Sequence, residues 1–580
     1  MDKTKNKKPK AETWKGLFQT IGKLRLPWVW IVVGLTVNLW LNDLMLDLPN
    51  TTADLLSGDL SAAALGDAVW YYVLLGIATV VAVVGQVQAQ SYSVKRARDS
   101  VWKKMLGMRM EYYDRNDPSD LMSSITNDTS EAVQSFVNLL IVLIPALYYV
   151  IAAMGRISEY HWVLFASCFI LVPLKYLYAF ILGRKFQVAS AQLYGRIGTL
   201  TSFLADRINH LQLIKTYTNE KAEDKNGHEA AQGLYKAQMR IVNIDNITIG
   251  AISVIDVLQK FVVVVVAVIL LQRGEIDIVM WLAFFLFSQN LFPMIDQIFD
   301  CWIRLKSMQG SFQRVTDIMT EDAEHDEDAA AFPADGDIRF ENVSFTYPET
   351  DEPALKNVSF TVPRGQSLAI VGMCGSGKTT SVSLLERFYT PDEGRVMIGD
   401  TDIKDISLSQ FRRRLAYVQQ NTELFAGTLR EALTYGIERD VCDEEIFTAA
   451  EKTGFDEYLK LCPDGLSTQV SSGGQSMSGG QSQRLTLTRE LLRGGDIILM
   501  DEPTSALDVR VSAKIQDTID AVFADKTRII ITHDLRFARR YDHVIVMSGG
   551  ELVGEGRHET LLETCPTYRE MNENAQEVEA

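Results

Sequence analysis

The sequence predicts a multidomain chain, an all-α half of six transmembrane helices with long cytosolic extensions followed by an α/β half built as a P-loop nucleotide-hydrolysing domain. Three observations carry this. Six apolar runs long enough to cross a bilayer fall before residue 300, an acidic stretch follows them, and a glycine-rich loop then separates a strand pattern from a helix pattern. At 580 residues the chain is also too long for one ordinary core. Its apolar share of 47 % looks merely globular, because the charged second half dilutes the long runs of the first.

The first element, residues 1–27, is read as a cytosolic tail and amphipathic helix. Lys3, Lys5, Lys7, Lys8 and Lys10 precede Trp14-Lys15-Gly16-Leu17-Phe18. These lysines are either solvated or in contact with anionic headgroups. No small-residue cleavage site follows a short apolar core, so no signal peptide is expected.

Residues 28–316 form the expected transmembrane domain. A hydrocarbon core of about 30 Å needs about 20 apolar residues in helix. Suitable runs extend from Trp28 to Leu48, Leu65 to Val87, Phe136 to Met154, Trp162 to Leu182, Ile252 to Leu271 and Ile278 to Ile298. The fifth contains the valines Val262 to Val266, a strand-like stretch whose length and neighbours favour a spanning helix. Pro49 to Ala64 carries no Lys or Arg, whereas Lys95, Arg96, Arg98, Lys103, Lys104 and Arg109 follow the second run. This asymmetry places the N-terminus in the cytosol, and six crossings return the chain there. The links after the second and fourth runs are long and helix-rich, so the helices are expected to continue into the cytosol. They would turn near Tyr112 to Leu121 and Thr216 to Ala222, where a soluble domain can push on them.

Ionisable groups inside spans are costly and usually face a water-filled cavity or one another. Asp256 and Lys260 lie four apart on one helix and can pair along it. The alternative is a polar inner cavity in which Lys175, Lys260 and Asp296 contact cargo. Residues 317–336, with Glu321, Asp322, Glu324, Asp326, Glu327 and Asp328, read as a solvated acidic linker.

Residues 337–580 open with the apolar strand Ser367 to Val371 and then Gly372-Met373-Cys374-Gly375-Ser376-Gly377-Lys378-Thr379-Thr380. Between a strand and a helix, this spacing is a phosphate loop. Glycines let backbone N–H groups turn inward on phosphate oxygens, Lys378 neutralises the outer phosphates, and the Thr379 hydroxyl can ligate Mg²⁺. A second buried strand, Asp496 to Met500, ends in Asp501-Glu502. There Asp501 can hold Mg²⁺ and Glu502 can polarise the attacking water as general base.

Between and after these motifs lie Gln420, Met477-Ser478-Gly479-Gly480-Gln481, Ser505-Ala506-Leu507-Asp508 and Ile531-Thr532-His533. In that order they make residues 338–568 similar to the ATP-binding cassette (ABC) domains, and the six helices resemble the exporter-type (type IV) transmembrane domain. The resemblance implies that Tyr347 stacks on adenine, that Gln420 contacts Mg²⁺ and senses the membrane domain, and that His533 contacts the γ-phosphate. It implies that Ser478, Gly479, Gly480 and Gln481, with Asp508, complete a nucleotide site shared with the opposite subunit, so that two half-transporter chains are required. ATP with Mg²⁺ is the implied fuel. Three departures from the pattern stand out: Met477 for leucine, Gln419 before Gln420, and Thr468 to Ser472 where exporters carry Gly-Glu. The last makes a non-identical partner the alternative to a homodimer.

The expected function is ATP-driven export of small amphipathic compounds, drugs, lipids or peptides from a bacterial inner (plasma) membrane. An exporter-fold importer of a metal chelate is the alternative, with a non-transport cassette ATPase behind it. The net charge of -17 leaves no basic surface for nucleic acid. The cysteines Cys168, Cys301, Cys374, Cys442, Cys462 and Cys565 show no metal-ligand spacing.

Overall fold

The computed structural model describes residues 20–57, 62–324, 330–333, 336–348, 350–420, 423–471, 477–504 and 509–577. The amphipathic stretch Trp14 to Phe18 and Asp508 lie outside them. The chain divides into two compact units, one of residues 1–107 and 118–321, the other of residues 108–117 and 322–580.

The first unit is helical. Helices α1 (Trp28–Ser57) and α2 (Ala62–Leu106) precede a third span assembled from α4 (Pro118–Ser123), α5 (Thr129–Asn138) and α6 (Ile144–Tyr160), with α3 (Met110–Asp114) lying in the other unit. Then come α7 (Trp162–Phe169), α8 (Val172–Asn209), α9 (Leu211–Thr216), α10 (Glu220–Gln272) and α11 (Ile278–Thr320). Six of the apolar stretches in these helices are long enough to cross a membrane, including the one holding Val262 to Val266. Helix suits them because hydrocarbon offers the backbone no partner, so every N–H and C=O must bond within its own segment. The outward faces are apolar, as at Val69, Trp70, Ile77 and Val80 on α2. Tyr149, Phe284, Phe287, Leu291 and Val263 pack inside.

Two π-helical turns interrupt the third span, Ser124–Asp128 and Leu139–Leu143. At the first, Arg314 donates from Nε and Nη2 to the buried Asp128 carboxylate at 2.5 and 2.5 Å. The fourth span breaks at Ile170 and Leu171, between α7 and α8.

The second unit holds three sheets. The central one runs β12-β11-β3-β10-β9-β6, from Glu551–Gly556, His543–Ser548, Ser367–Gly372, Thr527–Ile531, Ile497–Asp501 and Leu415–Val418. Its strands are parallel except for β12. An antiparallel sheet of β2-β1-β4-β5 (Leu355–Val362, Ile338–Phe345, Glu393–Ile398, Thr401–Asp402) lies beside it in the same unit, and β7 (Gly427–Thr428) pairs with β8 (Gln469–Val470). Helices α12 (Lys378–Leu385), α13 (Leu429–Thr434), α14 (Asp443–Thr453) and α15 (Gly479–Arg493) belong here too.

The structure redraws the acidic linker. Helix α11 runs on to Thr320, past the expected boundary at 316. Beyond it Arg412 holds Glu324 with two hydrogen bonds of 2.9 Å, and Ala330 donates its N–H to the Asp405 carbonyl and accepts from Ser407 N at its own, each at 2.8 Å. This part of the stretch is strapped to the nucleotide unit rather than solvated. Residues 112–117 of the first predicted turn also lie in that unit: Tyr389 Oη donates to Asp114 on α3 at 2.6 Å.

Candidate functional site

Adjacency of β3, β10 and β9 builds the site. Ile531 is level with Ile370 on one side and with Asp501 on the other, so the loops leaving the carboxyl ends of the three strands meet. Ligands of open parallel sheets bind at that edge.

The loop after β3 is folded tightly. Gly372 and Gly377 have φ of 159° and 98°. A Cβ on Gly372 would stand 2.3 Å from the Met547 carbonyl oxygen, so only glycine fits. Gly375 is left-handed as well, with φ 76°. Ser376 Oγ is buried with no hydrogen-bond partner. Lys378, 6 % exposed, donates to the carbonyls of Gly372 and Met373 at 3.0 and 2.9 Å, and burial holds its ammonium below the usual lysine range. Such a loop presents donors and a cation that anionic oxygens can take over.

Thr379 Oγ1 donates to Asp501 Oδ2 at 3.2 Å. Burial raises the Asp501 carboxyl above its ordinary range, and Thr379 works against that rise. Next to it Glu502 has a positive φ of 46°, a strained setting for a side chain that aims its carboxylate at the loop edge. Gln420 Nε2 donates to Glu502 Oε2 at 3.0 Å, and His533 Nε2 lies 2.5 Å from Oε1. Gln420 rather than Gln419 therefore reaches the carboxylate.

Oxygen donors from Thr379, Asp501 and Gln420 suit a hard cation such as Mg²⁺, which usually takes few protein ligands and fills its shell with water and phosphate. No cluster of three His, Cys, Asp or Glu exists among the described residues. Tyr347 lies half-buried with its ring edge-on to Tyr389 at 5.2 Å, and its hydroxyl donates to Thr380 at 3.3 Å.

Ser478 caps α15, its side chain and that of Gln481 exchanging hydrogen bonds with each other's backbone, and Gly479 and Gly480 open the helix. These residues are not joined to the phosphate loop by any hydrogen bond among the described residues. Ser478 and Gly479 are exposed at the helix start.

The transmembrane candidates are corrected. Asp256 pairs with Lys175 on another helix, not with Lys260 on its own. Lys175 is 5 % exposed and also bonds Asp296 Oδ1 at 2.8 Å. Lys260 is exposed. Sequence reasoning missed Gln259, Tyr389 and Glu386, whose partners lie far away in the chain.

Residues 29–294 match the family described as ABC transporter transmembrane region, and residues 355–505 the one described as ABC transporter. An ATP-dependent lipid A-core flippase of Idiomarina loihiensis is 30 % identical over 487 residues, 83 % of this chain and 82 % of that one. The flippase of Chromobacterium violaceum is 29 % identical over 480 residues, 83 % of this chain and 82 % of its own. A multidrug resistance ABC transporter ATP-binding and permease protein of Lactococcus lactis is 26 % identical over 476 residues, 82 % of this chain and 80 % of its own. The solved structure of a bacterial Atm1-family ABC exporter with ATP bound shares the fold, with a TM-score of 0.82 and 22 % identity over 97 % of this chain and 98 % of that one.

Proposed function

This chain belongs to the ABC transporter family, its transmembrane region and ATP-hydrolysing domain fused in one polypeptide, and from that premise we propose that it is half of a dimeric exporter of amphipathic compounds, whether lipids, drugs or peptides, in a bacterial inner membrane. ATP hydrolysis drives the transport. The relatives are named for lipid flipping and multidrug resistance, which supports export over uptake of a metal chelate. The basic residues Lys95 to Arg109 after α2's apolar part support a cytosolic N-terminus and nucleotide domain.

The observation that carries the reading is the Glu502 carboxylate, held between Gln420 and His533 beside the phosphate loop. Glu502 acts as general base toward the attacking water, and His533 fixes its orientation and then meets the γ-phosphate. Lys378 leaves its two carbonyls for the phosphates, and Ser376 gains the partner it lacks. Thr379, Gln420 and Asp501 would hold Mg²⁺, which neutralises charge on the outer phosphates when bound. Tyr347 offers its ring to adenine. Ser478, Gly479, Gly480 and Gln481, with Asp508, complete the site of the opposite subunit. Because Glu502 and His533 leave this chain's half-site whole, the dimer is read as two copies; the altered Thr468 to Ser472 stretch is what favours a related second chain instead.

Glu502→Gln tests the reading. In nanodiscs it should lower ATP turnover by about 10²–10⁴-fold while ATP still binds. Undiminished turnover by this variant would overturn the assignment.

A further inference from the structure

The helix that carries the phosphate loop is held at its far end by one guanidinium. Helix α12 runs eight residues from Lys378 to Leu385, which makes it about 12 Å long. It stops at Arg387, whose φ of 57° is the left-handed turn that usually falls to glycine. Arg387 donates from Nη1 to the Ile406 carbonyl at 2.6 Å and from Nη2 to that of Lys404 at 3.1 Å. The carbonyls of Glu386 and Arg387, the first two past the helix, both accept from Arg412, from Nε at 3.4 Å and from Nη2 at 3.1 Å. A cation at a helix C-terminus also complements the helix dipole.

Arg412 is itself fixed from other sides. Nη1 and Nη2 fork onto the two carboxylate oxygens of Glu324, each at 2.9 Å, and the guanidinium lies 5.3 Å from the centre of the Phe388 ring. Its own carbonyl accepts from Arg493 at 2.7 Å. Of the three consecutive arginines only this one reaches α12, since Arg413 bonds Glu438 and Arg414 bonds Asp496. Glu324 is half-buried, and Ala323 before it pairs with Met108 in an isolated β-bridge, so the carboxylate has a fixed base. A planar fork bonded at both oxygens cannot turn freely. Glu324 therefore decides where the other edge of Arg412 points.

We infer that Arg412 is a positioning residue of the nucleotide site and Glu324 the residue that aims it, a role that rests on the ATP reading proposed above. By holding the end of α12, the pair sets where the other end presents Lys378, Thr379 and the N–H groups of the phosphate loop. A helix of two turns is stiff over this length, so a shift at Arg387 reappears at Lys378. Glu502 and His533 follow β9 and β10 instead, and do not depend on α12 for their place. Loosening α12 therefore weakens nucleotide binding more than it slows the chemical step.

ATP turnover by the full chain in nanodiscs, measured across ATP concentration, tests this. Glu324→Gln keeps the side chain's size and removes the charge that fixes the fork. Its KM for ATP should rise about fivefold with kcat within about twofold of native, the mark of lost binding and not of lost chemistry. A fold that had merely loosened would lower kcat and leave KM alone. Arg412→Lys keeps the cation but loses the fork, and should raise KM at least about tenfold. The double variant should be no worse than Arg412→Lys, because Glu324 acts through Arg412. A native KM in Glu324→Gln, or a double variant in which the two effects multiply, overturns the inference. If native turnover is still lost in Glu502→Gln, the nucleotide reading stands in that case; turnover indifferent to Glu502→Gln takes both down. Should Arg412→Lys not fold, the KM of Glu324→Gln decides alone.

Discussion

Gly377 shows how much of the site rests on single atoms. Its φ is 98°, and a Cβ would stand 2.6 Å from Leu355 Cδ2 and 2.7 Å from the Ala354 carbonyl oxygen. Leucine can yield but the backbone oxygen cannot, so Gly377→Ala should strain the loop by about 1–3 kcal/mol. Because the strain falls on the phosphate-binding backbone, ATP affinity should weaken about tenfold or more. Fluorescent-nucleotide titration reads this, and unchanged affinity would show that the loop relaxes freely. Gly377, Lys378 and Thr379 were legible in the sequence because a phosphate loop is built from neighbours in the chain. The meeting of Gln420, Glu502 and His533 was legible only through family resemblance, since it follows from the order of β10, β9 and β6. The Lys175 pairing was not legible at all. Spacing along one helix offered Asp256 with Lys260 as one of two readings, and nothing in the sequence says which faces of two helices meet.

Among the elements, the six spans were plain because length and apolarity are local properties. The break at Leu171 was hidden, as an apolar run reads the same whether or not its ladder is whole. At Glu324 the linker differs for a related reason: this acidic residue looks solvated until Arg412, some ninety positions on, is brought against it, while Glu321 and Asp322 are exposed and Asp326 to Asp328 lie outside the described residues. Arg412 also faces Glu386 at the end of α12, and there an element's burial becomes measurable. Burial pushes the Glu386 carboxyl up from 4.5 to about 8, Asp501 adding to the rise and Arg412 opposing it. Between those two values the folded chain keeps a proton that the unfolded chain has released, so this group's contribution to stability declines as pH rises through the window. The thermal midpoint of the native chain should therefore fall from about pH 5 to about pH 8 more steeply than that of Glu386→Gln. Equal slopes would place the Glu386 carboxyl in water.

At the scale of the whole molecule, one chain holds a phosphate loop with Glu502 beside it, while Ser478 and Gly479 lie exposed at the start of α15. ATP can close the machine only through contacts that exist when two nucleotide domains meet. On the proposed reading, dimerisation is then part of the chemistry. The measurement that tests this most directly is ATP turnover by the purified chain in nanodiscs, native against Ser478→Arg, with nucleotide binding followed in parallel. A site shared between two chains predicts that Ser478→Arg still binds ATP and loses turnover by about 10²-fold or more, as when a transition-state donor is removed. Native turnover by Ser478→Arg would mean that a single chain hydrolyses ATP by itself, and the account of a dimeric transporter would be wrong.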